Sequence, residues 1–99
     1  MFSHVVIFWT QPDKPNAAED LIAGAEKYLK DIPGVHTFHM GRMAASDRPV
    51  VDQSYQVALN ITFPDKATQD AYQVHPSHTE FVETVFKPNC ARVVVYDFE

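Results

Sequence analysis

His78 is the residue of this chain best placed to move a proton. It opens a helical stripe with Phe81, Val82, Val85 and Phe86, at i, i+3, i+4, i+7 and i+8. A stripe of that composition should face a sheet. An imidazole drawn into it titrates away from its ordinary value of about 6.5 and can trade protons near neutrality. The same placement also suits a core histidine that donates to a backbone carbonyl, or one that caps a helix start. His4 repeats the pattern on a strand, alternating with Phe2, Val6 and Phe8. Tyr72 lies near the end of the preceding helix, where a tyrosine either packs or reacts. A phenol and two imidazoles opening onto one apolar cavity would form a coherent acid–base site. His78 would remove a proton as general base, Tyr72 would hydrogen-bond a carbonyl oxygen as it becomes an oxyanion, and His4 would orient them.

Other chemistries find less support. His75 and His78 approach a metal-ligand spacing, and His4 could be a third ligand. A zinc site wants three or four converging ligands, yet no cysteine lies near in sequence and no carboxylate has matching spacing, so no metal is expected. Gly24, Gly34 and Gly41 are isolated, so no nucleotide-binding loop is present and no cofactor is expected. Ser46, Ser54 and Ser77 occupy no nucleophile-elbow context. His36 and His39 read as exposed or rim residues. Cys90 stands alone and reads as a small buried residue, so no intrachain disulfide can form and a reducing, cytoplasmic setting is expected.

The chain that must hold these groups has 99 residues, enough for one domain over 1–99. Lysine plus arginine number 8 against 13 aspartates and glutamates, a net charge of -5. That argues against nucleic acid and against anionic lipid as partners. The longest apolar run, Val5 to Trp9, is far short of the roughly 20 residues that span a bilayer. No basic segment precedes a long apolar core, so no signal peptide is expected.

Phe2 to Thr10 is rich in β-branched and aromatic residues and reads as a strand. Neither of its faces is polar: Phe2, His4, Val6 and Phe8 lie on one, Val5, Ile7 and Trp9 on the other. Asn16 offers a helix cap, with Glu19 in capping-box position. Ala18, Leu21, Ile22, Ala25, Tyr28 and Leu29 then follow at helical spacing, predicting a helix of about 15 residues that Ile32-Pro33-Gly34 stops. A second strand is expected from about Val35 to Met43, a loop from Ala45 to Ser54, and a third strand from Tyr55 to Phe63. Pro64 and Asp65 suit a helix start, and that helix should reach about Val74. Pro76 suits the first turn of the next, which Lys87-Pro88-Asn89 ends. A last strand runs from Arg92 to Phe98. The order is that of an α+β protein, a βαββαβ sandwich of one four-stranded antiparallel sheet with helices on one face.

Two helical segments cover only one face of such a sheet. The other carries Val5, Ile7, Trp9, Val94, Tyr96 and Phe98, a larger apolar patch than soluble monomers usually expose. A homodimer packed through the helix-free sheet face is therefore expected. The alternative is that the first helix or the long loop folds over part of it.

Several segments together resemble the stress-responsive α/β-barrel (Dabb) family. They are His4-Val5-Val6-Ile7-Phe8, Ile32-Pro33-Gly34-Val35, Tyr55 through Thr62-Phe63, Tyr72-Gln73-Val74-His75-Pro76-Ser77-His78 with Phe81-Val82, and Val95-Tyr96-Asp97-Phe98. The resemblance covers nearly the whole chain. It implies a ferredoxin-like fold and a homodimer built as a dimeric α/β barrel. One plant branch of the family comprises polyketide cyclases that work by aldol condensation without a cofactor. There the tyrosine and final histidine of the Tyr-x-x-His-Pro-x-His segment carry the chemistry, which maps onto Tyr72 and His78; the pocket histidine of the first strand maps onto His4. The pocket between sheet and helices is expected to be lined by Val6, Phe8, Leu59, Phe81 and Val82, with Val57, Leu21, Ile22 and Ala25. The chain departs from the cyclases at Val57, where they carry a further histidine, and at Leu21, Ile22 and Ala25, where their first-helix residues are bulky.

Three functions follow as expectations. The first is binding or transformation of a small, apolar, oxygenated molecule by cofactor-free His/Tyr chemistry of a cyclase or isomerase kind. The second is a non-catalytic, stress-associated oligomer. The third is an oxygenase or haem-handling protein.

Overall fold

A computed structural model describes residues 1–99. Its elements are β1 (Phe2–Thr10), α1 (Ala17–Tyr28), β2 (Thr37–Arg42), β3 (Val57–Phe63), α2 (Lys66–Gln73), α3 (Pro76–Phe81), a π-helical turn (Val82–Phe86), α4 (Lys87–Asn89) and β4 (Cys90–Phe98). The strands form one antiparallel sheet in the order β2-β3-β1-β4. β1 is interior because both its faces are apolar and both its edges can pair. Its inner face packs Phe2, His4, Val6 and Phe8 beneath the helices, and all four are buried. β3 adds Val57, Leu59, Ile61 and Phe63 to the same layer, and α1 closes it with Leu21 and Ala25. The arrangement is a ferredoxin-like fold.

Several boundaries differ from the sequence expectation. α1 has 12 residues and begins without the expected cap: Asn16 makes no side-chain cap hydrogen bond. Its backbone lies at φ -102, ψ 12, outside the extended region from which a cap side chain reaches the first-turn N–H groups. β2 is shorter than expected, six residues, although His36 N–H to Thr62 O and Met43 N–H to Gln56 O carry the pairing past both ends. The stripe from Phe81 to Phe86 is not a plain α-helix. Pro88 has no N–H to continue an α ladder, and the Lys87 N–H instead reaches Val82 O, five residues back. The long loop does reach the helix-free face. Trp9 there donates to Ser54 Oγ at 3.1 Å and lies under the Arg92 guanidinium, 4.2 Å from the ring centre. Tyr96 and Phe98 on the same face remain about 60% exposed, at 59% and 60%. No helix is long and apolar enough to cross a membrane.

Candidate functional site

Each site residue is held by the start or end of an element. Asp65 caps α2, its carboxylate accepting from Thr68 N–H at 2.8 Å and Thr68 Oγ1–H at 2.7 Å. That fixes the helix whose last turn carries Tyr72. His75 caps α3: its Nδ1 accepts from Ser77 N–H at 3.0 Å, and Pro76 takes the first turn. Ser77 Oγ–H donates to the Tyr28 carbonyl and so ties α3 to α1. His75 therefore spends a ring nitrogen on the turn that delivers His78. No three His, Cys, Asp or Glu side chains come together as a metal-binding group.

Tyr72 lies at the centre, 1% exposed. Its ring meets Phe63 and His78 edge-on at 5.0 Å each, and His4 at 6.0 Å, between centroids. His4 is 5% exposed, and its Nδ1 lies 2.6 Å from Asp97 Oδ1. The carboxylate accepts from Nδ1–H, which leaves Nε2 as the ring's free nitrogen. Gln69 Nε2–H donates to Gln73 Oε1 at 2.7 Å, and Gln73 Nε2 lies 3.5 Å from His78 Nε2. An amide N–H of Gln73 can donate only to an unprotonated His78 Nε2, here at the limit of hydrogen-bond reach. Burial, and then the charge of His4, hold the His78 imidazole below its ordinary 6.5. Burial pushes the Tyr72 phenol well above its ordinary 10. At neutral pH the site offers an unprotonated imidazole that can accept a proton and a phenol that keeps its proton and can donate it in a hydrogen bond.

These groups open onto a cavity of about 150 Å³ between the β1–β4 side of the sheet and α2, α3 and the π-helical turn. Of the sequence-predicted residues, His4, Tyr72, His78, Val6, Phe8, Leu59, Phe81 and Val82 line it. Leu21, Ile22, Ala25 and Val57 do not. Leu21, Ala25 and Val57 are wholly buried, and Ile22 packs against that core. The cause is lateral: α1 covers β2 and β3, whereas the cavity lies toward β1 and β4. Leu29, Gln73, Phe86, Val93 and Val95 complete the wall. Sequence reading missed them and Asp97. Strand alternation places Asp97 on the face of Val93 and Val95, and helical spacing places Gln69 beside Tyr72 at i, i+3 and Gln73 one turn beyond Gln69 at i, i+4.

One four-stranded antiparallel sheet with helices on one face places the chain among the small α+β proteins of ferredoxin-like fold. The pattern of the stress responsive A/B barrel domain, Dabb, matches residues 2–99, and the chain belongs to that family. It is 27% identical over 97 residues to a stress-response A/B barrel domain-containing protein of Arabidopsis thaliana, covering 98% of this chain and 84% of the relative. A solved Dabb family protein with a ferredoxin-like fold from Mesorhizobium loti is 25% identical, with 99% of this chain and 94% of that one aligned at a TM-score of 0.79. A dimeric ferredoxin-like protein of unknown function from Jannaschia sp. is 25% identical, with coverage of 99% and 97% and a TM-score of 0.76. Hydroxynitrile lyase from Passiflora edulis is alike in fold alone, 20% identical over 98% of this chain and 90% of that one, at a TM-score of 0.76.

Proposed function

We propose that this protein binds a small, largely apolar oxygenated molecule and moves protons on it without a cofactor, in a cyclase- or isomerase-like manner. The observation that carries the reading is the meeting of His4, Tyr72 and His78 on one cavity whose other walls, Gln73 apart, are apolar. His78, neutral at pH 7, accepts a proton from the carbon beside a carbonyl. The Tyr72 hydroxyl donates to the carbonyl oxygen as negative charge gathers there. His78 then returns the proton to carbon or oxygen, which closes the balance. Asp97 accepts from His4 Nδ1–H and so fixes the orientation of that ring beside the phenol. The working unit in this reading is a homodimer through the helix-free face, supported by the exposure of Tyr96 and Phe98 there and by the dimeric relative from Jannaschia.

The test is deuterium uptake at the central carbon of pentane-2,4-dione, measured by NMR with and without protein. Uptake above the buffer rate is expected, saturating with dione. His78→Asn should abolish the protein-dependent part. Tyr72→Phe should lower it about tenfold, the worth of one hydrogen bond of roughly 1.4 kcal/mol. Uptake at the buffer rate, with no saturable shift of the His78 or Tyr72 signals, would remove the reading.

A further inference from the structure

Resting on that reading, we infer that the substrate is an uncharged carbonyl compound whose reacting part is about the size of benzene, and that the site rejects carboxylate and phosphate relatives of such a molecule. Size comes from the cavity, about 150 Å³; an apolar cavity of about 150 Å³ holds benzene. Charge comes from what lines the cavity and its approach.

None of the 13 lining residues is a lysine or arginine. The polar ones are His4, Tyr72, Gln73 and His78. Desolvation keeps the His78 ring uncharged at neutrality, so it supplies no counter-ion. His4 is already engaged by the Asp97 carboxylate at 2.6 Å, which offsets any positive charge on that imidazole. An anion moved from water into such a place loses its hydration and gains no ion pair. A neutral carbonyl loses far less and gains the Tyr72 hydroxyl.

The approach has the same sign. A wider polar recess of about 450 Å³ shares His4, Gln73 and Val95 with the inner cavity. Its charged residues, beyond His4, are Lys66, Asp70, Asp97 and Glu99. Lys66 Nζ is committed to Asp70, at 2.9 and 3.0 Å to the two oxygens. The recess therefore carries net negative charge, on a chain whose own net charge is -5. An approaching anion is repelled before it meets a site with no cation.

Pentane-2,4-dione and acetoacetate are near-isosteric and differ by a methyl group against a carboxylate oxygen. Each is titrated into the full-length protein at pH 7 while the His78 imidazole and Tyr72 ring signals are followed by NMR. The dione should saturate, with acetoacetate at least tenfold weaker. Val95→Lys, which puts a cation at the junction of cavity and recess, should tighten acetoacetate at least threefold relative to the dione. Acetoacetate binding within twofold of the dione would overturn this inference and leave the proton-transfer reading standing. No shift with either ligand would overturn both.

Discussion

His78 starts from a depressed titration point, and the sign of its effect on stability follows. In the folded chain burial and the His4 charge favour the neutral ring. In the unfolded chain the ring regains a value of about 6.5. As pH falls through that value the unfolded state takes up a proton that the folded state resists, so stability drops. The drop continues until the folded ring protonates as well. Above the unfolded value the group has no effect. The melting temperature of the wild type should therefore fall more between pH 7.5 and pH 5 than that of His78→Gln, in thermal scans under matched buffers. Equal falls would mean that His78 titrates as it does in water. The residues of this site differ in how well the sequence displays them. His4 and His78 stand out because each interrupts an apolar series of fixed period. Asp97 does not, because its meaning depends on the register that sets it opposite His4. Leu21, Ala25 and Val57 show which face is buried but not whether they pack solid core or line a void, and pattern holds no depth.

α1 and the π-helical turn meet at Gly24, and the closeness of that meeting decides what a methyl group would do. A Cβ added there would lie 2.5 and 2.7 Å from the two γ-carbons of Val85. Alanine in a helix interior is worth about 0.5–1 kcal/mol over glycine, whereas overpacking costs about 1–3 kcal/mol. Val85 is β-branched and has few rotamers to retreat into, so the clash outweighs the propensity. Gly24→Ala should destabilise by about 0.5–2 kcal/mol in urea denaturation, by the difference of those two ranges, low end from low end and high from high. Adding Val85→Ala should return part of the loss, a coupling that independent sites do not show. A neutral Gly24→Ala would mean the two segments can part without cost. The period of 3 and 4 makes the stripe from His78 to Phe86 legible as helix, and it is helical throughout. Its π turn is not legible, because apolar spacing of 3 and 4 does not say whether each N–H reaches the carbonyl four or five residues back. The start of α1 misleads for a related reason. Asn16 and Glu19 have capping-box spacing, but the cap depends on a backbone angle at Asn16 that residue type does not fix.

At the scale of the molecule, what the helices leave uncovered decides how copies meet. Val5, Ile7 and Val94 are half-buried on the helix-free face, and the loop and Arg92 shield Trp9. Tyr96 and Phe98 stand out from the same face near the edge of the sheet, at 59% and 60% exposure. In the proposed dimer two such faces exclude water by meeting each other, and a standard interface of about 1,600 Å² in total is within reach of a four-stranded sheet. The net charge of -5 opposes association at long range, so the apolar contact must supply the affinity. The wild type should sediment as a dimer at micromolar concentration. Tyr96→Glu should shift it toward the monomer, because the apolar contact is lost and a carboxylate would have to leave water. Lys27→Glu, on exposed α1, adds negative charge on the helix side and should leave the dimer in place. If both variants dissociate alike, net charge rather than the apolar face controls assembly. If the wild type itself sediments as a monomer, the sheet face meets solvent or a different protein.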